Sequence, residues 1–87
     1  MIPFEVLKEY KTIYVRNRSS NYELRFKIVL KQGVKEPALL ITKVFAKNGK
    51  HIETTKLGRI PFSILPRLIN IIEDSINFIS KFIHYGQ

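Results

Sequence analysis

The stretch YELRFKIVLK, residues 22–31, alternates apolar and polar side chains along its whole length. Leu24 and Phe26 fall on one side of an extended chain, whereas Glu23 and Arg25 fall on the other. A period of two residues is typical of a strand with one face in a protein core and the other face toward solvent or a ligand. The fold is therefore expected to rest on a β-sheet whose two faces differ in chemistry.

Other segments with strand composition lie on both sides of this stretch. Residues 10–16 are rich in β-branched and aromatic side chains, and they end at a polar loop, residues 17–21. After a turn at Gln32–Pro37, which contains glycine and proline, strands are predicted at residues 38–47 and 50–57. The sequence thus predicts four antiparallel strands.

The last two strands are joined by Asn48-Gly49, the pair preferred in a two-residue type I′ turn because both positions need positive φ. Such a turn fixes the register of the hairpin, so Lys47 is expected opposite Lys50. Stepping outward places Phe45 with Ile52, Lys43 with Thr54 and Ile41 with Lys56 on one side, and Ala46 with His51, Val44 with Glu53, Thr42 with Thr55 and Leu40 with Leu57 on the other.

A long amphipathic helix is predicted after the sheet, over residues 63–84. Ser63 can cap its N terminus, and Pro66 falls in the first turn, where backbone N–H groups have no partner. Apolar residues at three- and four-residue spacing form the stripe that is expected to pack on the sheet. Its members are Leu65, Leu68, Ile69, Ile72, Ile76, Ile79 and Ile83.

A second apolar seam lies beside this stripe, so the helix is more apolar than a one-sided surface helix needs. Such an excess signals a second packing partner. We expect that partner to be another copy of the chain, in a homodimer; the N-terminal segment around Phe4, Val6 and Leu7 is the alternative. The predicted dimer interface consists of Ile64, Ile71, Phe78 and Phe82.

With 87 residues the chain has room for one domain, with residues 1–9 as an N-terminal extension, 10–57 as the sheet and 63–84 as the helix. The predicted fold class is α+β, a four-stranded antiparallel sheet with one long C-terminal helix on one face. There is no Cys to form a disulfide or a thiolate metal site, which favours a cytoplasmic protein. No secretory signal is recognisable, and charged residues interrupt the apolar segment 64–83, so no membrane association is expected.

The formal net charge of +8 is unevenly distributed. Between Lys11 and Arg59 there are 12 basic and 3 acidic residues, whereas the rest of the chain has 3 basic and 4 acidic ones. A positive field on one part of a small domain attracts polyanions such as DNA or RNA. The alternatives are a surface charged for solubility or the basic bias of a protein from a hot environment.

The predicted sheet surface combines such cations with aromatic rings. Lys47 opposite Lys50 is unfavourable by itself, and a bound phosphate chain would remove the repulsion. Cations that contact phosphates, interleaved with rings on which bases stack, are typical of single-strand binding with little sequence preference, with DNA favoured over RNA. The candidate nucleic-acid-binding residues are Tyr14, Arg16, Arg18, Arg25, Lys27, Lys43, Phe45, Lys47, Lys50 and Lys56.

A second interpretation of the hairpin remains open at the level of sequence. Phe45, Ile41 and Ile52 would then be core residues, with the lysines extending past them to solvent at the margin of the sheet. The small side of the hairpin, with Ala46, Val44 and Thr42, would face outward. The two interpretations differ only in which face of the sheet the helix covers.

Catalysis has little support in the sequence. His51 and His84 lie on separate elements and have no acidic or thiol neighbour at metal-ligand spacing. Glu73 and Asp74 are adjacent, so on a helix they point about 100° apart and cannot share a reacting atom. We therefore expect a binding protein, not an enzyme, with no metal, no cofactor and no small-molecule substrate.

The passage LGRIPFSILPRL, residues 57–68, resembles the step from the last strand into the helix in the single-stranded-DNA-binding domains of the transcriptional positive cofactor, Whirly and Pur-type proteins. The resemblance spans residues 10–82 and implies strands that grip nucleic acid, helices that pair two protomers, and a role in transcription or replication. Small DNA-binding proteins of hot-spring archaea and their viruses are an alternative. Other function classes left open are a protein-interaction or viral structural subunit that acts through its apolar helix, and a small nuclease or accessory subunit of an enzyme.

Overall fold

The computed structural model describes residues 4–18 and 21–85, so residues 1–3 of the predicted N-terminal extension lie outside the described residues. The predicted α+β class is confirmed, because an antiparallel sheet is followed by a C-terminal helix. Over the described ranges, no helix has the length and apolar character needed to cross a membrane. The elements are strands β1 (Phe4–Glu9), β2 (Ile13–Arg16), β3 (Asn21–Lys31), β4 (Ala38–Lys47) and β5 (Lys50–Thr54), a 3₁₀ turn (Phe62–Ile64) and helix α1 (Leu65–Tyr85).

The sheet has five strands in the described chain, one more than predicted. β3 is the longest strand, with 11 residues, and it pairs with β4 on one side and with both β1 and β2 on the other. One long partner can hydrogen-bond two short strands placed end to end. The predicted strand 10–16 therefore starts only at Ile13, and part of the predicted N-terminal extension supplies β1.

A β-bulge in β1 changes which face its side chains occupy. Val6 lies opposite Val29, but the register shifts before Lys8, which lies opposite Ile28. Since paired residues point to the same face, the extra residue turns Lys8 to the face that carries Ile28. Without the bulge, Lys8 would point to the other face of the sheet.

The hairpin between β4 and β5 has the predicted register. Asn48 and Gly49 have φ values of 52° and 76°, as a type I′ turn requires. Lys47 lies opposite Lys50, Phe45 opposite Ile52 and Lys43 opposite Thr54. β5 ends at Thr54, however, so the predicted pairs beyond it, Thr42 with Thr55, Ile41 with Lys56 and Leu40 with Leu57, are not part of the ladder.

The helix covers the face of the sheet that carries the apolar side of β3. Leu24, Phe26 and Ile28 are fully buried, and the core cluster joins the first two to Ile64 and Leu68 from the 3₁₀ turn and the helix. We call this face the helix side and the opposite one the open face. Burying these side chains is the main favourable contribution to folding.

Phe45 belongs to the helix side, because it lies directly opposite Tyr22 across the β3–β4 ladder. It packs against the core cluster, as Ile41 does. The expectation of an open hairpin surface around Phe45 is therefore wrong, and the alternative interpretation, with Ala46 and Val44 on the outward face, is correct for Phe45 and Ile41. Ile52 shares their face but remains 37% exposed.

The residues of the predicted dimer interface on the helix are instead buried or half-buried within the domain, and Ile64 and Ile71 pack with the core cluster. Ile64 is buried, and Ile71, Phe78 and Phe82 are half-buried. Four residues of the predicted sheet-facing stripe are exposed: Leu65 is 38%, Ile69 53%, Ile72 41% and Ile76 58% accessible. The prediction is wrong for these four, whereas Leu68 of the same stripe is buried as predicted, and Ile79 and Ile83 are half-buried.

Ser75 explains why the two seams were confused. It is 3% exposed and lies in the inward-facing row between Ile71 and Phe78. Its hydroxyl donates to the backbone carbonyl of Ile72 at 2.7 Å, which satisfies the buried oxygen within the helix itself. Because Ser75 is polar, the inward row is interrupted in the sequence. The outer row is apolar throughout, so the apolar pattern favours it as the sheet-facing row.

A polar cluster fastens the middle of the helix to the β1 side of the sheet. The Asp74 carboxylate accepts hydrogen bonds from Lys8 Nζ at 2.7 Å and from the Tyr10 hydroxyl at 2.5 Å. These two donors lower the pKa of Asp74, the Lys8 bond being the larger cause. Burial, together with Asp74, raises the pKa of Tyr10 above its usual value. The cluster depends on the bulge, because only the bulge brings Lys8 to the helix side.

We predict that Asp74→Asn makes the domain less sensitive to acid. Because the pKa of Asp74 is lowered in the folded state, its contribution to stability is present above the unfolded value of about 4 and is lost as pH falls through the folded value. Thermal unfolding followed by circular dichroism should show a smaller drop in midpoint for the variant on acidification from about pH 6 to about pH 3. Glu73→Gln, which removes the neighbouring carboxylate, is the control and should behave like the wild type. Equal pH dependence of Asp74→Asn and wild type would contradict the prediction.

Candidate nucleic-acid interface

The open face carries polar and charged side chains on every one of its central strands. One row of paired residues crosses this face from β2 to β5. Its members, in strand order, are Tyr14, Glu23, Val44 and Glu53. Residues two positions away along each strand share this face. The helix leaves this surface uncovered, and Tyr14 is 64% exposed on it.

The sequence-predicted binding residues divide between the two faces, so the prediction that one sheet surface presents them together is wrong. The β3–β4 register is the physical cause, because it aligns Phe45 with Tyr22 and not with Glu23. Tyr14, Arg16, Arg25 and Lys27 lie on the open face, Lys43, Phe45, Lys47 and Lys50 lie on the helix side, Arg18 lies in the loop after β2, and Lys56 follows β5.

The centre of the open face has mixed charge. The Arg25 guanidinium is 3.2 Å from the Glu23 carboxylate, and Lys27 lies opposite Glu9 of β1. Glu53 accepts a hydrogen bond of 2.6 Å from the Thr42 hydroxyl. Exposed ion pairs contribute roughly 0.2–1 kcal/mol to stability, but they neutralise the local field. A polyanion therefore finds little net positive charge at the centre of this face.

One end of the sheet, in contrast, is purely basic in the described chain. Arg16 ends β2, Arg18 follows it, Lys47 ends β4 and Lys50 begins β5. All four side chains are exposed, and the last two residues of β2, β3, β4 and β5 at this end include no carboxylate. Neighbouring strands lie about 4.8 Å apart, so the four strand ends span about 15 Å. We call these four residues the basic end.

A shallow cavity of about 300 Å³ opens on the open face beside the basic end. Its lining includes Tyr14, Arg16, Asn21, Val44 and His51. An exposed phenol ring, a guanidinium and an amide side chain can together contact a planar base and its phosphate. Sequence reasoning missed Asn21 and His51, although the Asn48-Gly49 register alone places His51 on the same side as Val44.

The rings on the helix side are engaged in packing. Lys43 Nζ is 4.4 Å from the centre of the Tyr22 ring and 5.8 Å from that of Phe45, both within the range of cation–π attraction. The Tyr22 hydroxyl lies 3.5 Å from the carbonyl oxygen of Arg59, a long hydrogen bond. These contacts cover the ring faces, so Phe45 is not a free platform for a base.

We predict that Phe45→Ala destabilises the domain. Truncating a large aromatic side chain that packs against a core costs several kcal/mol when the side chain is fully buried, so about 2 kcal/mol is expected for the half-buried Phe45. Urea denaturation measures this change in the free energy of unfolding. Phe62→Ala is the matched control, because Phe62 is 83% exposed and its loss should change stability little. An unchanged unfolding free energy for Phe45→Ala would contradict the packing assignment.

The residues that could carry other chemistry remain dispersed. In the parts of the chain that the structure describes, no three His, Cys, Asp or Glu side chains cluster closely enough to hold a metal ion. His51 is in β5 on the open face, whereas His84 is near the C-terminal end of α1.

Comparison with known proteins identifies no relative: no family model matches the chain, and neither a curated protein nor a solved structure shows significant similarity to it. The resemblance to the transcriptional positive cofactor, Whirly and Pur-type domains stays a prediction from the residues alone. The case for a function therefore rests on the geometry and charge of the basic end.

Proposed function

We propose that this protein binds single-stranded nucleic acid, DNA in preference to RNA, across the basic end of its sheet, with little sequence preference. The observation that carries the proposal is the collection of Arg16, Arg18, Lys47 and Lys50 within the width of four strands, beside the exposed ring of Tyr14. The cations would contact phosphates, which supply most of the affinity of non-specific binding.

The opposition of Lys47 and Lys50 supports a polyanionic ligand. Like charges directly across a strand pair are destabilising, and the type I′ turn prevents them from separating by a change of register. A bound phosphate between the two ammonium groups would convert this repulsion into attraction. The pair therefore contributes more to binding than to folding.

Tyr14 supports single strands over duplex. An exposed ring offers a stacking surface to an unpaired base, and a duplex has no free base faces to use it. The neighbouring Arg16 side chain shares the face of Tyr14, since the two are two residues apart in β2. Stacking and phosphate contact can then occur on the same nucleotide.

We predict that Lys47→Ala/Lys50→Ala weakens binding to a fluorescent oligothymidine and lowers its dependence on salt. For single strands, log affinity falls with log salt by about 0.7 per phosphate contacted, so losing two contacts should reduce the slope by about 1.4. Fluorescence anisotropy across a range of salt concentrations measures both quantities.

The matched control for this pair is Lys31→Ala/Lys35→Ala, at the opposite end of β3 and in the turn that follows it. Each double variant removes two positive charges from a chain of net charge +8. If overall charge drives binding, the two variants should lose equal affinity. That result, or equal affinity of the wild type for single strand and duplex, would overturn the proposal.

We predict that Tyr14→Ala lowers affinity for single strands by roughly tenfold, because one stacked base contributes about 1–3 kcal/mol. Tyr14→Phe keeps the ring and should bind nearly as the wild type does. Titration of both variants with the same oligothymidine provides the comparison. Equal losses in the two variants would show that the hydroxyl, and not stacking, makes the contact.

A further inference from the structure

The exposed row on helix α1 has the spacing of a helix-pairing seam. Leu65, Ile69, Ile72 and Ile76 are separated by four, three and four residues, and this alternation continues to Ile79 and Ile83. A strict seven-residue repeat of Leu and Ile is the pattern by which one helix packs its side chains between those of another. We call these six residues the outer seam; along the helix it extends for about 27 Å.

The domain leaves the first four residues of the outer seam exposed, whereas Ile79 and Ile83 are half-buried. The first four residues are 38–58% exposed, although they include three isoleucines. The 21-residue helix contributes Leu68 as its buried hydrophobic residue among those described, and Ser75 as its buried polar one. Helices obtain most of their stability from packing of an apolar face, and the exposed residues Leu65, Ile69, Ile72 and Ile76 form an apolar face that still lacks a partner.

The distribution of charge selects the partner. Helix α1 has two basic residues, Arg67 and Lys81, and two acidic residues, Glu73 and Asp74, so the +8 charge of the chain resides outside it. Two copies of a strongly basic chain repel each other elsewhere but can approach along this neutral element. A helix that lies on an anionic membrane has a basic polar face, which α1 lacks.

The residues that flank the outer seam also permit pairing with an identical helix. In the seven-residue repeat, the flanking row on one side is exposed and consists of Pro66, Glu73 and Ser80, and the flanking row on the other side belongs to the inward row and consists of Leu68, Ser75 and Phe82. One of the six is charged, so two copies bring together no rows of like charge. Around a two-fold axis, each seam meets a seam of identical length and spacing. A different protein would match this length and spacing only if it had the same repeat.

We propose that the outer seam is the interface of a homodimer, in which α1 of one protomer packs against α1 of its partner. Leu65, Ile69, Ile72 and Ile76 form the centre of this interface. The basic ends of the two protomers remain uncovered, because they lie on the sheet and not on the outer seam.

Sedimentation equilibrium without nucleic acid tests this interface independently of the proposed function. The wild type should have about twice the 10.2 kDa mass of the chain, and Ile76→Lys should have the mass of one chain with an unchanged circular dichroism spectrum. Asn77→Lys adds the same charge one residue away, outside the seam, and should remain dimeric. The wild type should also unfold at a higher temperature as its concentration rises.

A second variant keeps the test decisive if Ile76→Lys does not fold. Ile72→Ala/Ile76→Ala removes apolar contacts without adding charge, and it should raise the dimer dissociation constant by about tenfold or more. A wild type that is monomeric at all concentrations would overturn the proposal, whether or not the protein binds nucleic acid. A dimer that persists in both seam variants would also overturn it, and would direct attention to the exposed open-face side chains Phe4 and Val6.

Discussion

The alignment of β3 with β4 is the constraint on which the rest of this structure depends. Tyr22 lies opposite Phe45, and every other pair along the ladder follows from that one. Because side chains alternate with a period of two, a slip of one residue would send Phe45 and Ile41 to the open face and bring Val44 to the helix side. This register sets the position of the core and the surface that the helix covers. It also determines the face of the sheet to which the lysines of β4 point.

The same register gives the cations at the centre of the sheet partners within the domain. On the open face Arg25 is paired with Glu23, and on the helix side Lys43 lies over the rings of Tyr22 and Phe45. Arg25 and Lys43, in the middle of the two faces, therefore already have partners. The cations at the strand ends project past the last carboxylate, which is why the proposed binding site is an end of the sheet and not a face.

The helix has two neighbouring apolar rows with different roles. The inward row packs with the core of the sheet through Ile64, Leu68 and Ile71. At the middle of the helix, Asp74 accepts hydrogen bonds from Lys8 and Tyr10 on the β1 side of the sheet. Because successive residues turn by about 100°, Ile72 and Ile76 lie on the side of the helix away from Asp74. The outer seam thus points away from the edge where the helix is fastened, and this leaves it open to a second helix.

The sequence by itself determined the elements whose signals are local. The alternation of residues 22–31, the Asn48-Gly49 turn and the three- and four-residue repeat of the helix predicted the α+β class, the hairpin register and the presence of two apolar seams. Only the tertiary structure decided which sheet face is covered, because the six-residue connection Gln32–Pro37 does not fix a register as a two-residue turn does. The tertiary structure also decided which row of the helix faces the sheet. Ser75 can be buried because its hydroxyl donates a hydrogen bond to the backbone carbonyl of Ile72, and a pattern of apolar residues does not identify a buried polar position. The predicted binding residues are divided between the two faces, because their placement depends on a long-range pairing that local chemistry does not encode.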